Sequence, residues 1–350
     1  MSSASAAMFV YVGNSDSQDV TVLALKPNGD LTLVETKIVP GPNKPGGSLP
    51  LAVSPDKRWL FAGLRNEPFS VTTFGIDGKT GRLTRVGSGP LPYSMAYLSV
   101  DRTGKFLAGA AYSGHKVAIS PIGGDGIVQA AKQIVAGRPN AHCVAFDPTN
   151  QYLLNTSLGG DLIFQDKFDA KTGTLAPNMP PTVSVKAESG PRHLVFSSNK
   201  RGKRFVYVVS ELDGAISVFP WNAKTGALGK EVQVTTSLPK DFGGKAWAAD
   251  IHLTPNGKFL YASERTSSTL AAFSVDRKTG ILTAIESFPT ETQPRGFNID
   301  PAGRFLLAAG QLSNSMTVYS IDKRSGELSK LNDYPMGKNP NWVEIINTRR

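Results

Sequence analysis

The stretch Gly257-Lys258-Phe259-Leu260-Tyr261 joins a polar turn to an apolar strand, and variants of it recur along the whole chain. In each variant an aromatic residue is followed by aliphatic residues. The copies occupy residues 57–62, 104–108, 150–154, 203–207, 257–261 and 303–307, and residues 8–12 form a seventh copy at the N-terminus. Repeats of roughly 50 residues that contain several short strands are typical of β-propeller blades.

A glycine that follows a small polar residue and has an aliphatic residue one or two positions after it marks the same repeat. These glycines are Gly29, Gly81, Gly126, Gly173, Gly226, Gly280 and Gly326, at intervals of 45 to 54 residues. Glycine supplies the positive φ that a tight turn between two strands needs. The aromatic strand segment and the turn glycine recur together in all seven units. Each unit is therefore predicted to be one antiparallel meander of four strands.

The N-terminal copy has no strand before it, whereas each later copy follows a short apolar segment such as Ile251-His252-Leu253. The missing strand is found at the C-terminus as residues 342–346 (WVEII). The sequence therefore predicts an all-β, seven-bladed β-propeller whose ring is closed when the C-terminal strand joins the N-terminal blade. We expect one domain over residues 1–350, with residues 1–7 as a disordered tail.

Composition and charge restrict the class of protein. The only cysteine, Cys143, excludes an intrachain disulfide and a cysteine-based metal cage, and no apolar run is long enough to span a membrane. The start of the chain lacks the features of a signal peptide, so we expect a cytoplasmic protein. The net charge is +10, but the basic residues are scattered. Their longest cluster, Lys200-Arg201-Gly202-Lys203-Arg204, falls in one predicted hairpin turn, which favours solvated loop charge over a nucleic-acid site.

Because the blades repeat, equivalent positions can be compared between them. Five residues before the end of each innermost strand stand Leu49, Ala96, His142, Arg192, Ala249, Arg295 and Trp342. Three of these seven side chains are cationic or titratable. We therefore expect His142, Arg192 and Arg295 to face the central funnel, where propellers bind their ligands.

The position six residues after the aromatic residue of each second strand gives another level. It holds Arg65, Tyr112, Leu158, Glu211, Arg265 and Gln311, five of which are charged or form hydrogen bonds. Four guanidinium groups around one funnel would repel each other unless an anion filled it, and arginine binds two oxygens of a phosphate or carboxylate at once. The alternative is that these residues form salt bridges between blades at the rim.

Other candidates have plainer interpretations. His193 and His252 lie within innermost strands and are expected to be core histidines with satisfied hydrogen bonds. Asp250 could orient an arginine, and structural and functional roles for it stay equally open. Cys143 is expected to be a small buried residue. No spacing of residues indicates a metal site or a Ser-His-Asp triad, so we expect no cofactor.

Two long motifs resemble a signature of bacterial propeller-type 6-phosphogluconolactonases. They are residues 247–257 (WAADIHLTPNG) and 289–298 (PTETQPRGFN), and residues 190–193 (GPRH), 339–343 (NPNWV) and 53–58 (VSPDKR) fit as well. The resemblance spans essentially the full chain, and the wider family is similar to fungal carboxymuconate cyclases. One departure is that Ser263-Glu264-Arg265 and Ser210-Glu211 differ from the family's runs in the residues before Arg265 and Glu211, which leaves the fine substrate preference open.

The resemblance implies hydrolysis of 6-phospho-D-glucono-1,5-lactone to 6-phosphogluconate in the oxidative pentose phosphate pathway, without a metal or an organic cofactor. It implies catalytic roles for His142, Arg192, Glu211 and Arg265. The internal comparison of blades adds four substrate-binding candidates, namely Arg295, Arg65, Tyr112 and Gln311, of which Arg65 is the weaker one for binding the phosphate or carbonyl group. Asp250, which precedes an innermost strand beside Trp247, is a fifth candidate. Either Glu211 or His142 would deprotonate water while an arginine stabilises the oxyanion.

Two other functions stay open on the sequence alone. The first is a lactonase or cycloisomerase that acts on an unphosphorylated carboxylated substrate such as a muconate derivative. The second is a non-enzymatic propeller scaffold that binds proteins at its rim. As partners we expect a small anionic sugar lactone, neither nucleic acid nor membrane, and a chain that is a monomer or a weak dimer.

Overall fold

The structure is a computed structural model that describes residues 7–42, 44, 46–197 and 204–348. The predicted tail at residues 1–6 and most of the basic cluster, residues 200–203, lie outside the described residues. Within them the chain is almost entirely β-strand and turn, with one short 3-10 helix, Leu158–Gly160. None of the described residues forms a helix that is long and apolar enough to cross a membrane.

The strands are short and follow one another with few interruptions. In the first half of the chain they are β1 (Met8–Asn14), β2 (Asp19–Leu25), β3 (Leu31–Ile38), β4 (Leu51–Val53), β5 (Trp59–Leu64), β6 (Ser70–Ile76), β7 (Leu83–Pro90), β8 (Met95–Val100), β9 (Phe106–Ala111), β10 (Lys116–Pro121), β11 (Gln133–Val135), β12 (Ala141–Phe146), β13 (Tyr152–Ser157), β14 (Leu162–Asp169) and β15 (Thr174–Ser184). In the second half they are β16 (Pro191–Phe196), β17 (Arg204–Ser210), β18 (Ala215–Asn222), β19 (Ala227–Leu228), β20 (Gln233–Thr236), β21 (Ala248–Leu253), β22 (Phe259–Glu264), β23 (Thr269–Val275), β24 (Leu282–Pro289), β25 (Pro294–Ile299), β26 (Phe305–Gly310), β27 (Ser315–Ile321), β28 (Leu328–Pro335) and β29 (Pro340–Asn347).

These strands form seven antiparallel sheets, which we number as blades 1 to 7 in chain order. From the centre outward they are β29-β1-β2-β3, β4-β5-β6-β7, β8-β9-β10-β11, β12-β13-β14-β15, β16-β17-β18 with β19 and β20, β21-β22-β23-β24 and β25-β26-β27-β28. In blade 5 the outer edge is split, since β19 and β20 both pair with β18. The predicted seven-bladed propeller is confirmed.

Ring closure by the C-terminal strand is confirmed as well. Strand β29 pairs with β1 in a register that sets Val343 opposite Val12 and Ile345 opposite Val10. The innermost strands contact each other in the cyclic order β29, β4, β8, β12, β16, β21, β25 and back to β29. A single domain over residues 1–350 stays a prediction about how the chain folds.

The hydrophobic core is divided into wedges between blades. Seven buried clusters lie among the described residues, and each contains residues from two neighbouring blades. Between blades 1 and 2, for example, Phe9 and Tyr11 pack with Leu60 and Phe74. A blade is buried on both faces only when it has a neighbour on each side, so the stability of one blade depends on the next.

The two sequence markers of the repeat are in contact in the folded protein. The turn glycine of each blade lies against the aromatic residue of the preceding blade. The pairs are Gly81 with Phe9, Gly126 with Trp59, Gly173 with Phe106, Gly226 with Tyr152, Gly280 with Phe205, Gly326 with Phe259 and, across the ring closure, Gly29 with Phe305. All seven glycines have a positive φ, between +66° and +94°. Glycine is therefore required there both for its backbone conformation and for the space it leaves to the ring.

Replacement of Gly226 by alanine should destabilise the protein by about 2–4 kcal/mol, because the new β-carbon would overlap with the Tyr152 ring and its φ would be strained. Urea unfolding followed by tryptophan fluorescence measures the change. Gly124→Ala is the matched control, since no heavy atom lies within 4 Å of its β-carbon position. Equal stabilities of the two variants would contradict the proposed role of this contact.

Candidate active site

One-residue β-bulges interrupt the innermost strands near their N-terminal ends. The pairing register shifts at Ala96 in blade 3, His142 in blade 4, Arg192 in blade 5, Ala249 and Asp250 in blade 6, Arg295 in blade 7 and Asn341 in blade 1. A bulge inserts a residue outside the normal alternation and re-aims its side chain. The three residues that the comparison of blades selects, His142, Arg192 and Arg295, all occupy such bulges.

The prediction for blade 1 at this level is wrong by one residue. The bulge falls on Asn341, whereas Trp342 is paired regularly with Gly13. In blades 2, 3, 4, 6 and 7 a short turn after the innermost strand leads straight into the second strand and ends the pairing. Strands β29 and β1 are at opposite ends of the chain, so their pairing continues to Asn347 opposite Met8, and a count from the strand end is displaced.

The residues of the second predicted level also lie at this end of the channel. Arg65, Tyr112, Glu211 and Arg265 each follow the last residue of a second strand. Their charges act on one another and on the bulge residues. Burial and the nearby Arg192 guanidinium lower the pKa of Arg65, Arg265 and Arg295, and they lower the pKa of His142 well below its usual range. The structure thus brings seven of the predicted residues into one funnel, which comprises Arg65, Tyr112, His142, Arg192, Glu211, Arg265 and Arg295.

Glu211 is the carboxylate at the centre of this group. Its Oε2 accepts hydrogen bonds from Arg192 Nε at 2.7 Å and from Arg265 Nη2 at 2.8 Å. Burial opposes ionisation, but the two guanidinium groups outweigh it and hold the pKa of Glu211 below its usual value. Within the described residues Oε1 has no hydrogen-bond partner. The carboxylate is therefore ionised and held in place by one oxygen, and the other oxygen is free to accept a proton.

A second residue that holds Arg192 in place is His193. The Nη1 of Arg192 donates to the Ala249 carbonyl and to His193 Nε2, the latter at 3.1 Å. Since arginine can only donate, Nε2 of His193 accepts, and its Nδ1–H donates to Asp250 Oδ1 at 2.7 Å. Burial and Arg192 lower the pKa of His193 to about 4, so the ring is neutral at pH 7. His193 is a buried histidine with both nitrogens satisfied, as predicted.

Asp250 does not orient an arginine directly, which corrects one of the two sequence-based interpretations. Its carboxylate binds His193 and, through Oδ2, His252 Nε2 at 3.2 Å. It also accepts the backbone N–H groups of Ile251 and Phe297. The bulge in β21 places Asp250 one layer below the arginines, and it reaches Arg192 only through the His193 ring. A direct contact of Asp250 with substrate stays a prediction.

Arg65 and Arg295 are held more loosely than Arg192 and Arg265. Arg65 donates from Nη1 to Ser48 Oγ at 3.0 Å and from Nε to Ser94 Oγ at 3.1 Å. Arg295 donates from Nη1 to the Gly47 carbonyl at 2.8 Å. Both side chains are partly exposed, whereas Arg192 and Arg265 are 1% and 4% exposed. These two cations are therefore open to a ligand in the funnel.

His142 lies between an aromatic residue and the second histidine. Its ring is 5.8 Å from Tyr112 in an edge-on arrangement and 5.1 Å from His193, between centroids. Its Nδ1 is buried and has no hydrogen-bond partner among the described residues. Burial, with the Arg192 charge, makes the ring neutral at pH 7. An unsatisfied neutral imidazole nitrogen in the same funnel as Arg192 is suited to bind a substrate hydroxyl or water.

Gln311 has a role in packing that its sequence position does not reveal. Its Nε2 donates to Asn339 Oδ1 at 2.7 Å, and its Oε1 accepts from Gln293 at 3.1 Å. Both ends of the amide thus link neighbouring loops of blades 7 and 1. Substrate binding by Gln311 stays a prediction that these contacts do not favour. The contacts fit the rim-sealing alternative for this one residue.

Four residues of the site escape the comparison of blades. The Trp247 ring lies 3.9 Å from the Arg265 guanidinium carbon, and its carbonyl accepts from Arg265 Nε at 3.0 Å. Ser48, Ser94 and Gly47 hold Arg65 and Arg295. All four precede an aligned position by one or two residues, since Ser48 precedes Leu49 and Ser94 stands two residues before Ala96. A comparison of the whole segment before each innermost strand would have included them.

Asp250→Asn should lower the free energy of unfolding by about 1–3 kcal/mol at pH 7, because in either orientation the amide NH2 group would face an N–H donor that a carboxylate oxygen of Asp250 now accepts. The pKa of Asp250 is depressed in the folded state, so the stabilisation is present above the usual aspartate pKa of about 3.9 and is lost as the pH falls below it. Urea unfolding of the two proteins between pH 7 and pH 3 tests this.

Asp213→Asn is the matched control, since Asp213 pairs at the surface with the largely exposed Lys186 and should contribute less than about 0.5 kcal/mol. A loss for Asp250→Asn no larger than that of the control would contradict the proposed hold on His193.

Comparison with known proteins shows the family to which the chain belongs. Residues 9–345 match the family model for the seven-bladed β-propeller lactonases. A 6-phosphogluconolactonase of Serratia proteamaculans (strain 568) is 41% identical over 337 residues, which cover 96% of this chain and 98% of that protein. A 6-phosphogluconolactonase of Pectobacterium carotovorum subsp. carotovorum (strain PC1) is 42% identical over 291 residues, which cover 83% of this chain and 84% of that protein.

A solved structure extends the likeness to three dimensions. The periplasmic gluconolactonase of Pseudomonas aeruginosa superimposes with a TM-score of 0.88 and 27% sequence identity, and the match covers 98% of this chain and 100% of that one. The resemblance found in the sequence motifs is thereby confirmed, and the chain belongs to the lactonase family of seven-bladed β-propellers.

Proposed function

We propose that this protein hydrolyses 6-phospho-D-glucono-1,5-lactone to 6-phosphogluconate, a step of the oxidative pentose phosphate pathway. The observation that carries the proposal is a funnel with four arginines and one ionised carboxylate, Glu211. With His142 neutral, these groups leave a net positive charge that suits a phosphorylated substrate. The names of the relatives from Serratia and Pectobacterium support the same substrate.

Glu211 is the general base of the proposed reaction. Its free Oε1 takes a proton from water as the water oxygen bonds to C1 of the lactone. Collapse of the tetrahedral intermediate breaks the bond between C1 and the ring oxygen, and the proton held by Glu211 passes to that oxygen. The products are a hydroxyl group and a carboxylic acid, which ionises at neutral pH. Since Glu211 gives up the proton that it accepts, it is restored after each cycle.

Arg192 is suited to stabilise the oxyanion. Its Nε and Nη1 are bound by Glu211, Ala249 and His193, and its Nη2 has no hydrogen-bond partner among the described residues. The guanidinium plane is thus fixed before substrate arrives, and one donor is left beside the base. A preorganised donor of this kind costs no reorganisation when charge develops on the carbonyl oxygen.

Hydrolysis of an unphosphorylated lactone is the second candidate. The periplasmic gluconolactonase of Pseudomonas aeruginosa has the same fold over nearly the whole chain, and its name specifies no phosphate. The same arginines could also bind the carboxylates of a muconate-type substrate. A scaffold without activity is disfavoured, because burial of Arg192 and Glu211 is costly and has no purpose in a rim that only binds proteins. A cytoplasmic location and a monomeric or weakly dimeric state stay predictions from the sequence.

Glu211→Gln should lower kcat on 6-phosphogluconolactone by about 10²–10⁴-fold with the fold intact, because the amide cannot accept the proton. The assay follows acid release with spontaneous lactone opening subtracted. Glu286→Gln is the matched control, since Glu286 is exposed on β24 of blade 6. If Glu211→Gln and His142→Ala both turn over substrate as the unmodified protein does, the proposed catalytic roles are wrong, whereas an unmodified protein that does not hydrolyse the lactone would contradict the proposed function.

The acidic limb of the kcat/KM profile should move when an arginine next to Glu211 is removed. Arg192 and Arg265 lower the pKa of Glu211, so in the unmodified protein the limb lies below the usual glutamate pKa of about 4.3. In Arg265→Gln one cation is lost, burial dominates, and the limb should rise by about one pH unit or more. Arg85→Gln, on the exposed face of β7, should leave it in place. An unshifted limb in Arg265→Gln would show that Glu211 is not the titrating base.

A further inference from the structure

The four arginines of the funnel fall into two pairs that differ in their ion-pair and hydrogen-bond partners. Arg192 and Arg265 each form an ion pair with Glu211 and are almost fully buried. Arg265 is further occupied by the carbonyls of Trp247 and Ala248. Arg65 and Arg295 have no carboxylate partner within the described residues. Among the described residues, two positive charges of the funnel are thus left without a directly bonded carboxylate.

These two arginines converge on one short segment. Arg65 Nη1 binds Ser48 Oγ, and Arg295 Nη1 binds the carbonyl of the adjacent Gly47. A β-carbon on Gly47 would lie 3.3 Å from Arg65 Nη1, which is tighter than normal packing. The absence of a side chain on Gly47 therefore leaves room for the Arg65 guanidinium beside the residue whose carbonyl binds Arg295.

Within the described residues, the hydrogen-bond partners of Arg65 and Arg295 are hydroxyl and carbonyl groups, and none of them is a carboxylate. Arg65 keeps Nη2 without a partner in the part of the chain that the structure describes, and Arg295 keeps Nε and Nη2. The hydroxyls of Ser48 and Ser94 accept from Arg65, so their own hydrogens are directed elsewhere. Two like charges at close range repel each other unless an anion lies between them, and the planar forks of two arginines fit the oxygens of a phosphate.

We propose that Arg65 and Arg295, with Ser48 and Ser94, form an anion subsite that binds the phosphate of the substrate. The proposal rests on the function proposed above and divides that site into two parts. Arg192 and Arg265 serve the carboxylate that performs the chemistry, whereas Arg65 and Arg295 recognise the phosphorylated end of the sugar. Selectivity for phosphorylated over unphosphorylated lactone then depends on the second pair alone.

The kinetic test compares two substrates, 6-phospho-D-glucono-1,5-lactone and D-glucono-1,5-lactone, in Arg65→Gln, Arg295→Gln and the double variant. Each single change should lower kcat/KM for the phosphorylated lactone by about 10–100-fold, mostly through KM, because one charge-assisted contact to phosphate is lost. The kcat/KM for the unphosphorylated lactone should fall much less, so the ratio of the two kcat/KM values should drop. Arg85→Gln, a surface arginine on β7, is the control and should change neither value.

A measurement of phosphate binding tests the subsite independently of enzymatic activity. Inorganic phosphate should raise the melting temperature of the unmodified protein and of Arg85→Gln, and it should have little effect on the double variant. If the unmodified protein hydrolyses neither lactone but shows this pattern with phosphate, the proposed function fails and the anion subsite stands. The subsite is overturned if both lactones lose activity equally in Arg65→Gln and Arg295→Gln, or if phosphate stabilises the double variant as well as the unmodified protein.

Neither variant should fail to fold, since neither removes an ion pair and each reduces the repulsion among the guanidinium groups. Arg65→Lys provides a further check. It keeps the charge but loses the planar fork, so phosphate selectivity should be weakened less than in Arg65→Gln. Selectivity in Arg65→Lys as low as in Arg65→Gln would contradict a subsite based on charge.

Discussion

The packing of a turn glycine against the aromatic residue of the neighbouring blade determines the geometry on which the rest of the molecule depends. Gly29 against Phe305 makes this contact across the ring closure, as Gly81 does against Phe9 between blades 1 and 2. Each contact sets how closely two neighbouring blades approach, and the seven contacts together run around the whole ring. The width of the central channel, and so the distance between side chains from opposite blades, follows from these contacts.

Charged side chains can be buried in the channel because the channel walls supply their charged and hydrogen-bonding partners. The wedges between blades, by contrast, are apolar. Burial of a guanidinium group is unfavourable unless it is paired and hydrogen-bonded. Glu211 supplies the charge for Arg192 and Arg265, and the backbone carbonyls of Trp247, Ala248 and Ala249 satisfy further donors. Asp250 supports this arrangement from the layer below, since it holds His193 in the tautomer that accepts from Arg192.

The fold could be predicted from the sequence because its two markers are the two halves of one contact, repeated seven times. The site could be predicted in part, since His142, Arg192 and Arg295 break the repeat at a bulge position. Counting from strand ends failed at Trp342, because β29 and β1 pair for longer than two strands joined by a turn. The partners of Asp250 and Gln311 depend on which blades meet across the channel and the rim, and spacing along the chain does not contain that information.

Whether an arginine is free to bind a ligand likewise depends on its hydrogen bonds and not on its position in the repeat. Arg65 and Arg265 occupy equivalent places after the second strands of blades 2 and 6, yet only Arg265 lies within reach of Glu211. Arg192 and Arg295 are both bulge residues, and again only Arg192 contacts Glu211. Each level of the repeat thus contributes one arginine to the carboxylate and one to the open funnel. Because the two pairs share no hydrogen-bond partner, replacement of Arg65 or Arg295 could change the preferred lactone while the base and its ion pairs stay intact.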